Sequence, residues 1–495
     1  MGIMRTKSIE QSIRDTEEPE SRLNKTLGAL DLVVFGIGVI IGTGIFVLTG
    51  QAAAAYAGPA ISLSFVFSGV ACALAALCYA EFASTVPVAG SAYTFSYAAL
   101  GEVIAWIIGW DLVLEFTVGA AAVSAGWSGY FASILDNFFG ITLPASMTTV
   151  PSDGGVMNLP AALVALLLTA VLVVGITLSS RVNQVITAIK MVVVLFFIAF
   201  GIFFVRAANW TPFIPERQPA PGGGASLDST IVDIVFGTPG TFGLGGVFTG
   251  AAIVFFAYVG FDLVATTAEE TRNPQRDLPI GIIGSLAVCT VLYMIVSLIL
   301  TGVTNYRQYE GDPAPMATAF QEIGQGWAAG LVSLGAICGL TSVIMILMLG
   351  QSRVAFAMSR DGLLPRWFSR VHPTYRTPYR ITIFVGIVVA VLAAFTGIGA
   401  LAELLNIGTL FAFILVPIGV IVLRRTRPDL PRAFTTPLVP IVPIAAALTS
   451  FYLMLNLTAI TWIRFFVWMA LGVVIYFAYS RRNSRMARES TDRAH

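Results

Sequence analysis

Twelve apolar runs of about twenty residues, set apart by polar punctuation, constrain this chain more than any other feature. They lie near 28–53, 59–83, 99–131, 159–178, 185–206, 246–268, 279–303, 327–357, 381–398, 402–423, 437–457 and 460–480. A run of that length matches the hydrocarbon thickness of a bilayer, and in lipid a helix satisfies its own backbone polar groups. The overall balance agrees: 57% of the residues are hydrophobic and 11% charged, against about 25% charged in a typical soluble protein. An all-α polytopic membrane protein with 12 transmembrane helices is therefore expected. The first 26 residues are polar, without the short apolar core and small-residue site of a removable signal peptide.

Orientation follows from Lys and Arg. With both termini on the cytoplasmic side, 23 of the 28 cations fall in cytoplasmic segments, and only Arg206, Arg217, Arg307 and Arg464 fall outside. The remaining one, Lys190, is within the fifth run. Such asymmetry predicts a multi-pass protein with cytoplasmic N- and C-termini, and its expected location is the plasma (inner) membrane. The net charge of +1 says nothing about nucleic acid, but no basic run resembles a binding patch, and no nucleic-acid partner is expected. Cys72, Cys78, Cys289 and Cys338 have no CxxC spacing, and the histidines are His372, in a loop, and the terminal His495. Neither a disulfide framework, a metal site nor a buried histidine base is suggested, and there is no GK[ST] phosphate loop. A membrane enzyme, which needs a nucleophile–base or metal constellation, is correspondingly disfavoured.

Gly36-Ile37-Gly38-Val39-Ile40-Ile41-Gly42-Thr43-Gly44-Ile45-Phe46 sits in the middle of span one. Four glycines in nine residues weaken a helix, and Thr43 is placed to cap a new one. Two readings fit: small residues packing at GxxxG spacing, or a helix broken at mid-membrane, tolerated only where it lines a cavity or binds something. Span six carries a comparable interruption at Phe255-Phe256-Ala257-Tyr258-Val259-Gly260-Phe261-Asp262. Spans three and eight are each third in a set of five, and both are unusually long. Five spans invert between halves, so the pattern is that of a 5+5 inverted repeat, whose paired broken helices meet at a substrate site. This divides the chain into a cytoplasmic segment (1–27), repeat one (28–206), an extracellular loop (207–245), repeat two (246–423), two further helices (424–480) and a cytoplasmic tail (481–495). Pro87 to Tyr97 is too apolar for an ordinary loop and is expected to form an interfacial or re-entrant helix.

Ionisable groups within spans need a reason. Glu115 lies halfway along span three, with Asp111 one turn earlier on the same face, so the pair can share a proton. Asp262 follows the interruption of span six, where it can cap the second half-helix or serve function. Asp31, Glu81, Glu102 and Glu403 lie near span ends and are expected at the interface. Lys190 lies about 8 Å into its span at 1.5 Å per residue. It can snorkel to the surface, or sit in a low-dielectric pocket and release a proton during a cycle.

The segments GIGVIIGTGIFVLTG in span one, FFAYVGFDLVATTAEETRNPQRDLPIGI across span six and SRDGLLP after span eight resemble the amino acid–polyamine–organocation transporters. Within that superfamily the chain is similar to the cationic amino acid transporter family and its bacterial homologues, over all twelve spans. The resemblance implies the inverted-repeat fold of the bacterial leucine transporter. It implies that backbone amides at Ile40, Ile41, Thr43 and Gly44 hold the substrate α-carboxylate, and that carbonyls at Phe256, Ala257 and Val259 meet the α-amino group. Phe256 would close over the substrate. Glu115 would serve side-chain recognition or coupling, and Lys190, in the place where sodium-coupled relatives hold Na⁺, would couple transport to protons. Asp111, Asp262 and Tyr293 are candidates for structural or gating roles. Span eight would supply the far wall of the side-chain pocket, here Met345-Ile346-Leu347-Met348, whose bulk favours small neutral substrates unless Glu115 pairs with a long cation.

The expected activity is uptake of cationic and/or small neutral L-amino acids by alternating access. It needs no cofactor beyond the coupling proton, and its partners are the amino acid, protons and membrane lipids. Amino acid exchange and non-transporting amino acid sensing remain alternatives. A small single-helix accessory subunit is not readable from the sequence.

Overall fold

The computed structural model describes residues 26–85, 93, 97, 101–175, 180–219, 225–237, 240–375, 377–430, 432 and 434–484. Among the described residues, eight helices are long and apolar enough to cross a membrane, and four apolar ones are shorter. In chain order the helices used below are α1 (Ala29–Ile40), α2 (Ile61–Thr85), α3 (Glu102–Phe139), α4 (Leu159–Val174), α5 (Ser180–Gly201), α6 (Gly243–Val254), α7 (Pro274–Val303), α8 (Gly326–Arg360), α9 (Tyr379–Phe395), α10 (Ile398–Thr426), α11 (Ile441–Leu455) and α12 (Ala459–Ile475). The short ones are α1, α4, α9 and α11, whereas α6 and α12 reach spanning length only with the turns that follow them, to Ala265 and Asn483. For α1 the reason is local, since the chain leaves helical geometry at Ile41, with ψ at 98°. It resumes as helix from Gly44 to Ala57, two wide π-helical turns flanking an α-helical one, then bends at Gly58, whose φ of 60° suits glycine.

The long helices α3 and α8 pack along one another, and α7 lies against both α1 and α2. Small residues set these approaches. A side chain at Gly36 would run into Ser285 of α7, one at Gly38 into Thr187 of α5, and one at Gly335 of α8 into Val193 of α5. The sequence's packing reading of Gly38 is thus met by α5, alongside the helix break it was weighed against.

Glu81, Glu102 and Glu403, expected at the interface, are enclosed by protein instead, at 3%, 2% and 9% exposure. Each has collected partners from distant chain segments. Glu81 on α2 takes two 2.8 Å bonds from the Arg424 guanidinium and one from the Thr436 N–H. Glu102 accepts from the hydroxyls of Tyr476 and Ser484, at 3.0 and 2.8 Å. Glu403 accepts from Thr458 and Thr461. The segment expected as an interfacial helix, 87–97, lies outside the described residues except for Tyr93 and Tyr97. Tyr93 donates to Asp361 at 2.8 Å.

Candidate functional site

The break in span one leaves backbone groups that neighbouring elements partly claim. The Ile41 N–H closes α1 onto the Ile37 carbonyl. After the break, the first N–H to reach a carbonyl is that of Phe46, on Gly42 at 3.3 Å. The preceding turn therefore presents N–H groups without helical partners, at the positive end of the new helical segment. On the other side, the Ile40 carbonyl accepts from the Tyr293 hydroxyl at 2.8 Å, and the Gly38 carbonyl accepts from Lys190 Nζ at 2.5 Å.

The break in span six is longer. α6 ends at Val254, Phe255–Tyr258 tighten into a 3-10 turn, Val259 is extended, and Gly260 takes φ 117°. Only glycine adopts that conformation readily, and a Cβ there would also meet Val39 at 2.6 Å. Asn406 of α10 donates to the Ala252 and Ile253 carbonyls at 2.8 and 3.0 Å, satisfying the end of α6. The second half-helix expected after the break is only Leu263–Thr266, and Asp262 does not cap it with its side chain. Its carboxylate faces the backbone N–H groups of Gly260 and Leu263.

The breaks meet: a Cβ on Gly44 would collide with the Ala257 backbone. Beside this contact is a small, partly open cleft. Ile40, Thr43, Gly44, Phe256, Val259 and Leu347, six of the nine predicted binding residues, line it. Ile41 and Ala257 adjoin it in the breaks without lining it. The remaining wall comes from Val39, Gly42, Val123, Val343 and Leu405. Thr43 supplies the polar side chain of this lining, and its Oγ1 is buried without a hydrogen-bond partner. A neutral apolar group fits such walls, with the unpaired N–H groups and the Thr43 hydroxyl available to an anionic end.

Glu115 lies elsewhere. Two turns of α3 separate it from Val123, about 12 Å along the axis. It is 1% exposed, with Oε1 unpartnered, facing Thr409 of α10 and close to Asp262 and Asp111. Among the described residues, neither carboxylate oxygen of Asp111 has a hydrogen-bond partner. This acidic layer is buried apart from the cavity. Lys190 reaches α1 before the break, at the Gly38 carbonyl, and is fully enclosed, its stem against Gly339 of α8. It does not snorkel.

The sequence profile of the amino acid permease family matches residues 27–478. The chain belongs to this amino acid permease family. Among curated proteins the permease is 48% identical to the branched-chain amino acid permease BcaP of Bacillus subtilis (strain 168), over 98% of this chain and 99% of that one. It is 47% identical to the methylthioribose transporter of the same organism, over 93% and 95% of the two chains. It is 38% identical to the vacuolar cationic amino acid transporter 4 of Arabidopsis thaliana, over 86% and 68%.

Val123, Val343 and Leu405 of the permease were not anticipated from sequence. Val343 is one helical turn from Leu347 and Val123 two turns from Glu115, so α-helical spacing from the predicted residues reaches both. Leu405 carries no such signal, because nothing local ties α10 to the cavity.

Proposed function

We propose that this permease moves neutral amino acids with small or branched apolar side chains across the plasma membrane by alternating access, coupled to protons. The observation that carries the substrate class is the cavity between the breaks, walled by Val123, Val343, Leu347 and Leu405 with no ionisable side chain in its lining. Burying an unpaired guanidinium or ammonium against those side chains costs several kcal/mol. Family membership and the likeness to a branched-chain amino acid permease support amino acid transport. The zwitterion's carboxylate would meet the N–H groups at Thr43 and Gly44 and the Thr43 hydroxyl. Its ammonium would meet carbonyls at Ala257 and Val259, with the Phe256 ring closing over it.

In this reading the chain crosses the membrane twelve times with cytoplasmic termini, and α1–α5 and α6–α10 form the inverted repeats. Lys190 carries the coupling proton: its charged hydrogen bond to Gly38 ties α5 to α1, and loss of the proton weakens that tie so that α1 can swing and open the inner vestibule. Asp111, Glu115 and Asp262 would act as a buried structural or gating layer.

A second reading rests on the methylthioribose transporter, at nearly the same identity, since an apolar pocket also suits a thioether. Uptake of radiolabelled leucine, alanine, arginine and methylthioribose into proteoliposomes, with and without an inward proton gradient, separates these. Gradient-driven leucine or alanine accumulation supports the proposal. Uptake of methylthioribose alone replaces the substrate, and gradient-independent exchange replaces the coupling.

A further inference from the structure

α5 buries one face, and that face changes character at Lys190. Asn183, Thr187 and Lys190 recur at helical spacing and are buried, whereas Gln184, Val185, Ala188 and Ile189 among them are exposed. Beyond Lys190 the same face is Val193, Val194 and Phe197, enclosed and apolar. With cytoplasmic termini, the polar half of this face points inward to the cytoplasm. Side chains lean toward a helix's N-terminus, so Lys190 reaches back along α5 until Nζ meets the Gly38 carbonyl. Thr187 stands at the same glycine, since a Cβ on Gly38 would be 2.3 Å from its Oγ1. Ammonium and hydroxyl are thus neighbours across one residue of α1. The Thr187 hydroxyl donates to the Asn183 carbonyl at 2.8 Å. Asn183 Oδ1, one turn nearer the cytoplasm, is buried and has no hydrogen-bond partner among the described residues. At the foot of the stripe, Gln184 donates to Asp31 Oδ1 of α1 at 3.2 Å, at an exposed position. Around Lys190 itself, α1 and α8 present Gly38 and Gly339, and α7 presents the Cys289 thiol as the titratable group.

We propose that Thr187 and Asn183 form a one-sided exit along the α1–α5 seam, through which the proton on Lys190 reaches the cytoplasm; the exit rests on the coupling role given to Lys190 above and assigns its route. Close packing alone accounts for a small polar residue such as Thr187 against Gly38. It does not account for Asn183, because a buried acceptor without a donor is costly, and polar groups kept within spans mark ion paths. Asn183 and Lys190 are seven residues apart, about 10 Å of helix axis. The lysine stem, one hydroxyl and water bound at Asn183 cover that distance. In the step, an Nζ–H bond breaks and the Thr187 oxygen takes the proton while passing its own to the water at Asn183. The hydronium so formed gives its proton to the cytoplasm, and a neutral amine stays behind. Val193, Val194 and Phe197 offer no matching polar route outward along α5, so release is tied to the inner side.

The test uses proteoliposomes holding the full-length permease and two readouts, leucine accumulation under an inward proton gradient and leucine counterflow without one. Counterflow needs no net proton release. Thr187→Val keeps the shape of the side chain and removes the hydroxyl, and is expected to lower the ratio of accumulation to counterflow about tenfold or more. Asn183→Leu is expected to lower it likewise, and Thr187→Ser, which restores the hydroxyl, to recover it. An unchanged ratio in either Thr187→Val or Asn183→Leu overturns the route, as does a Thr187→Ser variant as impaired as Thr187→Val. Equal loss of both readouts also overturns it, because that marks a packing role. If Thr187→Val fails to give a monodisperse protein, Asn183→Leu decides by the same ratio. A wild type that accumulates no leucine under the gradient, or Lys190→Ala that accumulates it at the wild-type rate, rejects the coupling reading itself. A coupled wild type with unaltered Thr187 and Asn183 variants rejects only the route.

Discussion

A single ammonium group carries the coupling proposal. Among the described residues Lys190 has one acceptor, the Gly38 carbonyl, and a buried cation so sparsely matched points to a functional role. Lys190→Ala is expected to abolish proton-driven accumulation of leucine while leaving counterflow exchange measurable; accumulation at the wild-type level under a proton gradient would sink the role. At Gly260 the backbone makes its own prediction. Alanine there must hold a positive φ and press on Val39, so Gly260→Ala should cost about 1–3 kcal/mol, seen as a lower melting temperature in detergent and reduced uptake. Some of this was readable in advance. Glycine clustering at 36–44 and the interruption at 255–262 mark backbone irregularity in any apolar run. Lys190 was open between two readings because burial depends on α1 and α8, which no local pattern around residue 190 describes.

Between elements, the links that matter join distant parts of the chain. Asn406 of α10 holds the end of α6, and Tyr293 of α7 holds the end of α1, so each break is stabilised by a helix outside it. Tyr293 was a candidate on other grounds; Asn406 was invisible, since an asparagine within a span announces a polar contact but not its partner. Glu81 is similar: its position near a span end suggested solvent, and only the arrival of α10 with Arg424 encloses it. Replacing Glu81 by Ala leaves Arg424 and Arg432 without the carboxylate they flank. Discounted for the partial exposure of Arg424, the loss should be roughly 2–3 kcal/mol, measured as a drop in melting temperature. Glu81→Gln, which keeps part of the hydrogen bonding, should lose less, and equal losses for the two variants would show that charge, not hydrogen bonding, carries the contact.

Across the whole molecule, the apolar runs predicted where the helices lie to within about eight residues, because about twenty apolar residues is a strong local signal. The exceptions are α1 and α6, which stop at their breaks, 13 and 14 residues before the ends of their runs at 53 and 268. Which helices touch is a long-range property, and so the cavity wall from α10 and the acidic layer came from the structure. The enclosure of Lys190 also bears on how the protein is made. Its ammonium is walled by Gly38, synthesised long before it, and by Gly339, synthesised about 150 residues later. While the ribosome is still translating the middle of the chain, α5 must wait in the bilayer with its cation facing lipid or a biogenesis factor. Nascent chains truncated before α8 are therefore expected to be cleared by membrane quality-control proteases, and Lys190→Leu should lengthen the lifetime of those fragments in a pulse-chase experiment. Fragments with equal lifetimes would mean that the lysine finds shelter before α8 arrives. A residue proposed to move protons is, on this view, also what makes the permease slow to become safe within its own membrane.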